Sequence, residues 1–187
     1  MDEDQKVLFG HITEGVARMS AIIESLLALA KYGKEKLKIK PIDMTKLVDS
    51  CWIALSQGAK HTASLQLSDL PVVNADSQMV EQVVMNLLSN AIKYSSKRAQ
   101  PVVKIWSEQT DVSITFFIKD NGTGFDMQNY DRLFSPFYRM HPLHEFEGNG
   151  IGLALVKNII VKHGGSVGAE SKEDEGATFY FTLPATM

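Results

Sequence analysis

Cysteine is almost missing from this sequence. Cys51 stands alone, so no disulfide framework can form, and its place in a helical pattern reads as a buried structural thiol in a reducing, cytoplasmic compartment. No apolar run approaches the ~20 residues of a membrane-spanning helix, and the N-terminus has no signal-peptide hydrophobic region, so no membrane contact is expected within this chain. Positive charge is not in excess either. The 19 Lys and Arg against 22 Asp and Glu leave a net charge of −3, which argues against a nucleic-acid partner. Repeats and low-complexity tracts are also lacking. What remains is ordinary globular composition, 44% hydrophobic and 22% charged, with room for one core and an appended helix.

Against that plain background two glycine-rich turns stand out. Val112, Ile114, Phe116 and Ile118 alternate with more polar residues as a strand requires, and the strand ends on Asp120-Asn121-Gly122-Thr123-Gly124-Phe125. A carboxylate delivered to a strand end beside glycines is suited to accept a hydrogen bond from an exocyclic amine in a pocket. The second turn, Gly148-Asn149-Gly150-Ile151-Gly152-Leu153, runs into a helical pattern over 151–163. Main-chain N–H groups at such a helix start, together with the helix dipole, make an anion site. Between the turns lies a flap whose Phe134, Phe137 and Tyr138 are expected to pin it, with Arg139 extending as a clamp for a terminal phosphate.

A third element joins them. Asp76 sits where a helix N-cap belongs, and Met79, Val80, Val83, Val84, Leu87, Leu88 and Ala91 form the apolar side of a helix to Tyr94. Gln82, Asn86, Asn90 and Lys93 fall on another edge. Asn is a poor helix former, so two on one stripe call for a reason; Asn90 can offer its carbonyl oxygen to a hard cation such as Mg²⁺.

The run from Gln82 to Ser95 resembles the N box of sensor histidine kinases. Asp120 to Phe125 is similar to their first glycine box, Phe134 to Arg139 to the F box, Gly148 to Leu153 to the second glycine box, and Gly176-Ala177-Thr178-Phe179 to the final Gly-x-Thr-Phe. The resemblance implies an α+β fold, the two-layer Bergerat ATP-binding sandwich with a mixed sheet covered by helices on one face, preceded by one long helix. It implies ATP and Mg²⁺ as ligands. Asp120 then holds adenine, and Asn90 with Asn86 serves the metal and phosphates, Asn90 being the metal ligand. Lys93, Tyr94 and Arg139 handle phosphates, the backbone of Gly148, Gly150 and Gly152 cradles them, and Gly122, Gly124, Leu153 and Thr178 complete the nucleotide site. Asn86, Lys93 and Arg139 are the catalytic candidates.

Residues 1–33 read as one bundle helix, with Leu8, Ile12, Gly15, Met19, Ile22, Leu26 and Leu29 spaced four and three apart. They resemble the second helix of the family's dimerisation and phosphotransfer hairpin, which implies a homodimer through this helix and a response regulator or receiver domain as partner. His11 lacks the acid that follows the acceptor histidine of the family's H box, so it is read as an ordinary histidine, with the acceptor expected upstream of Met1. Residues 34–40 form a lysine-rich linker in which Leu37 and Ile39 begin the first strand, and residues 41–187 form the catalytic domain. His141, His144, Glu145 and Glu147 are too loosely spaced to be read as a zinc site.

Related ATPases that activate water place a Glu one turn before the metal-binding Asn; here that position is Asn86. The resemblance therefore implies phosphoryl transfer to histidine, which asks for positioning and charge neutralisation more than for a base. Two other readings stay open: a regulatory binding module with a vestigial ATP site, and an anti-sigma-type serine kinase on the same fold.

Overall fold

The structure is a computed structural model of the chain and describes residues 3–58, 61–142, 145–146 and 148–185. Several side chains of the first helix, that of His11 included, lie outside the described residues, as do His144 and Glu147.

A five-stranded sheet forms the centre. Its strands are β2 (Ser64–Leu67), β4 (Val102–Gln109), β5 (Ser113–Asp120), β6 (Val167–Lys172) and β7 (Gly176–Pro184), in the order β2-β4-β5-β7-β6. The β2–β4 pair is parallel and the rest are antiparallel, so the sheet is mixed. Alternation decides which face is covered. Ile114, Phe116, Ile118 and Asp120 of β5, and Ala177, Phe179, Phe181 and Leu183 of β7, point into the core. Onto that face pack α3 (Ser77–Ser95) and α4 (Gly152–Lys162), and α2 (Met44–Gly58) packs beside α3. The arrangement is the two-layer sandwich expected.

The helix α3 lies in the middle of the helical layer. All seven apolar residues assigned to its inner stripe are buried, and Asp76 caps it by accepting a hydrogen bond from Met79 N at 3.2 Å. Its other oxygen accepts from Lys38 N at 2.9 Å, and its own N–H donates to His163 Nε2 at 3.1 Å. One aspartate thus ties the interdomain linker and the end of α4 to the start of α3.

Three boundaries differ from the sequence reading. The strand β3 (Val72–Asp76), which pairs antiparallel with β1 (Ile39–Asp43) in a separate two-stranded sheet, is not visible in the pattern, because its partner is some thirty residues away and supplies half the ladder. The first helix, α1 (Glu3–Lys34), does not stop at Gly33. Tyr32 packs against the core and its carbonyl accepts from Lys162 Nζ at 2.7 Å, so tertiary contact carries the helix through the glycine. Phe137 does not pin the flap: it is 57% exposed with φ of 63°, while Leu133 and Phe146 are the buried ones among the described residues of that segment. Cys51 is buried among α2 and α3 residues as expected, its thiol pushed up to about 11 by burial and then by Glu81. Among the described residues no helix is long and apolar enough to cross a membrane.

Candidate active site

Asp120 ends β5 and is 2% exposed. Burial raises its carboxyl to about 6, against the opposing pull of main-chain hydrogen bonds from Gly122 and Ala177 and the charge of Arg98. Its Oδ1 accepts from Gly122 N at 2.8 Å. Gly122 is obligatory for space, since a Cβ there would lie 2.5 Å from the carbonyl oxygen of Tyr94.

The turn around Asp120 is braced from outside. Arg98 donates from Nε to Asn121 O and from Nη2 to Gly122 O, both at 2.8 Å, and also to Asp174 O. Asn121 accepts from Val102 N at 2.9 Å and donates to Gln100 O at 2.8 Å. Sequence reasoning singled out neither residue; an Arg in a polar turn just beyond a helix carries no distinguishing signal. Thr123 N donates to Tyr94 O at 3.2 Å and joins the turn to the end of α3.

On α3 the stripe forms as the spacing requires. Lys93 Nζ donates to Asn90 Oδ1 at 3.2 Å and stands 4.3 Å from the centroid of Tyr94. Burial, then the charge of Arg139, lowers the lysine to about 8, so it is still protonated at neutral pH. Asn86 Nδ2 donates to Gln82 O at 2.8 Å. Its Oδ1 faces the opening of α4 so closely that a Cβ at Gly152 would lie 2.5 Å away. The second turn therefore lies directly against the asparagine stripe, with Lys93 Nζ also beside Gly148 and Leu153 packed against the core.

Two assigned residues stand elsewhere than the motif reading placed them. Thr178 pairs with Lys119 in the β5–β7 register, and its side chain is on the open face of the sheet, opposite to Asp120. Ala177 and Phe179 line the Asp120 pocket instead. A strand's period of two makes the one-residue difference decisive. Arg139, read as a clamp for a terminal phosphate, is engaged with main-chain carbonyls beside the second turn: its guanidinium donates to Phe146 O at 2.6 Å, to His141 O at 3.4 Å and to Gly148 O, and its charge reaches Lys93.

The residues fit a nucleotide with a magnesium ion. Asp120 is a buried acceptor, and Asn90 and Asn86 both carry amide oxygens on the edge of α3 that meets the second turn, a donor set suited to Mg²⁺ that arrives on phosphate oxygens. Of the four residues weighed as a loose zinc group, His141 and Glu145 have Nδ1 and Oε2 4.0 Å apart, and His144 and Glu147 lie outside the described residues.

Residues 75–187 match the model of the histidine kinase-, DNA gyrase B-, and HSP90-like ATPases. The phytochrome-like protein Cph1 of Synechocystis is 35% identical over 185 residues, which is 98% of this chain and 25% of that protein. Among solved structures, the histidine kinase AdeS of Acinetobacter baumannii superposes with a TM-score of 0.74 at 27% identity, covering 100% of this chain and 87% of that one. The histidine kinase ThkA, solved in complex with the response regulator protein TrrA, does so with a TM-score of 0.74 at 23% identity, covering 100% and 53%. The chain spans about a quarter of the length of the phytochrome relatives that it matches. With the buried aspartate, the asparagine helix and the glycine turn in one place, the chain belongs to the histidine kinase-, DNA gyrase B-, and HSP90-like ATPase family, as the ATP-binding catalytic part of a sensor histidine kinase.

Proposed function

We propose that this chain binds ATP with Mg²⁺ and presents the terminal phosphate to a histidine outside residues 1–187, in a two-component phosphorelay. The observation that carries the reading is the meeting of Asn86 and Lys93 on α3 with Gly148 and Gly152 of the turn that opens α4. Asp120 holds the adenine amine at the buried end. Asn90, with Asn86 beside it, faces the metal and phosphates, and the N–H groups of Gly150 and Gly152 bind the phosphate chain at the helix start. Magnesium, when bound, neutralises phosphate charge. Lys93 is protonated and close enough to add a second positive charge once it leaves Asn90. Arg139 reaches a phosphate only if it exchanges lid carbonyls for phosphate oxygens. Asn86 is an amide engaged with Gln82 O, so it cannot activate water, and ATP hydrolysis is slow.

We read none of the described histidine side chains as the acceptor. His163 is 1% exposed with Nδ1 against Ile159 O at 2.8 Å and Nε2 taken by Asp76 N. His141 is enclosed by lid aromatics and His61 packs against Trp52. Incubation with γ-labelled ATP and Mg²⁺ tests the reading. The chain alone acquires no acid-labile phosphate, whereas a longer version that includes the preceding helix is labelled there. Labelling of residues 1–187 that His11→Gln removes would refute this assignment.

On the partner side, Phe9, Ile12, Val16, Met19, Ile23, Leu26 and Leu27 of α1 are exposed, an apolar area that suits homodimerisation through this helix. Ile22→Glu with Leu26→Glu then yields a monomer in sedimentation; a wild-type monomer at high micromolar concentration speaks against the dimer. By the same family logic the relay partner is a response regulator. With Cys51 reduced and buried, we place the chain in the cytoplasm.

A further inference from the structure

His141, in the segment after Arg139, lines the cavity beside Asp120, and Phe146 packs on it. Tyr94, His141 and Phe146 form a closed triangle, with ring centroids 5.3 Å apart for Tyr94 and His141, 5.0 Å for Tyr94 and Phe146, and 5.3 Å for His141 and Phe146. Phe146 is 6% exposed, though it lies in a loop between two glycine turns. Lys97 Nζ covers its outer side, 4.3 Å from the ring centroid. His141 Nε2 lies 3.4 Å from Thr123 Oγ1, so the imidazole reaches across to the Asp120 turn. The cavity left beside Asp120, between Tyr94, Met140, His141 and Phe179, measures about 10 Å³. That is near the threshold for a single water and far too small for a purine.

We propose that His141 and Phe146 form an internal plug of the nucleotide site, which ATP must displace to reach Asp120, and that Arg139 holds the plug in place through the carbonyls of His141, Phe146 and Gly148. The inference rests on reading the site as a nucleotide site. Its physical content is a competition. The plugged state cannot bind, so the apparent affinity is the intrinsic affinity reduced by the fraction of molecules that are open. Each aromatic contact removed from the triangle shifts the plugged-to-open ratio by about two- to tenfold. Arg139 acts here as a positioning residue, and displacement of the plug is also what releases its guanidinium toward a phosphate.

The test is titration of the full chain with ATP and Mg²⁺, read by calorimetry, for wild type, Phe146→Ala and His141→Ala, with thermal melts of each protein without nucleotide. Removal of the plug tightens binding by about two- to tenfold while it lowers the melting temperature of the nucleotide-free protein. The two changes have opposite signs, which loss of a base-stacking contact does not produce. Weaker or unchanged binding in both variants overturns the plug and leaves the nucleotide site standing, with the rings then acting as a clamp or as bystanders. Should Phe146→Ala fail to fold, His141→Ala carries the same expectation. Binding by neither wild type nor variants overturns both the plug and the reading of the site.

Discussion

The two glycine-rich turns look alike in sequence and are held in opposite ways. Around Asp120 the chain is fixed from every side: Arg98 binds three carbonyls, Asn121 bridges to Val102 and Gln100, and Thr123 is tied to the end of α3. The turn over 148–152 has α4 behind it and the asparagine stripe beside it, and among the described residues the segment leading into it is held by Arg139 on three carbonyls, a triangle of rings, Lys97 over Phe146, His141 against Thr123 and the bond from Phe137 N to Gly150 O. The first turn is built before any ligand arrives. The second, if the proposed plug is right, is conditional on its displacement. In the proposed reading, base recognition falls to the first turn and phosphate handling to the second.

The largest effect that separates the turns comes from their two arginines. Arg98→Ala leaves three carbonyls without their charged donor and is expected to destabilise the fold by about 2 to 4 kcal/mol, seen in urea or thermal melts, with ATP affinity falling too. Arg139→Ala is expected to change stability by less than about 1 kcal/mol, because its partners lie in the conditional segment. Equal losses would erase the distinction.

Asp120 gives the next effect, with a definite sign. Its folded value near 6 is above the ordinary 3.8, so the ionised carboxylate is a burden to the fold. The associated stability is fully present below pH 3.8 and is lost as the pH rises through about 6. Asp120→Asn is therefore expected to melt higher than wild type at pH 7.5 without nucleotide, by up to about 3 kcal/mol or some 6 to 12 °C, and to lose that advantage near pH 4. A variant less stable at pH 7.5 would show that the carboxylate has partners that offset its burial.

Asn90 stands on α3 and, in the proposed function, acts through the metal. Asn90→Ala should weaken ATP several-fold when Mg²⁺ is present and by less than about twofold in EDTA, a difference on the order of 1 kcal/mol. Equal loss in both buffers would remove the metal role. Smallest of all is Thr178→Val, on the open face of the sheet, which is expected to leave ATP affinity within about twofold of wild type.

How much of this was legible beforehand follows the same division. The apolar stripe of α3, the hairpin that ends on Asp120 and the N-cap at Asp76 are local patterns, and they form as the residues dictate. The resemblance of five motifs in order located the asparagines, the aspartate and the glycines. What escaped depends on distant partners. The strand β3 needs β1 to exist, Arg98 has meaning only beside carbonyls from the Asp120 turn and from Asp174, and Phe146 is buried only because Tyr94 and Lys97 meet it. Thr178 fell to a shift of one residue, which on a strand exchanges one face for the other.

The most direct measurement of the central claim is calorimetric titration of ATP with Mg²⁺ into the wild-type chain and Asp120→Ala at pH 7.5, with far-ultraviolet circular dichroism to verify that both are folded. Wild type is expected to bind, and the variant to lose at least about tenfold in affinity with its fold intact, since a polar contact in a desolvated pocket is worth about 1 to 3 kcal/mol. A folded Asp120→Ala chain that binds ATP as tightly as wild type would contradict the account, because the aspartate on which the rigid turn is built would then have no part in holding the base.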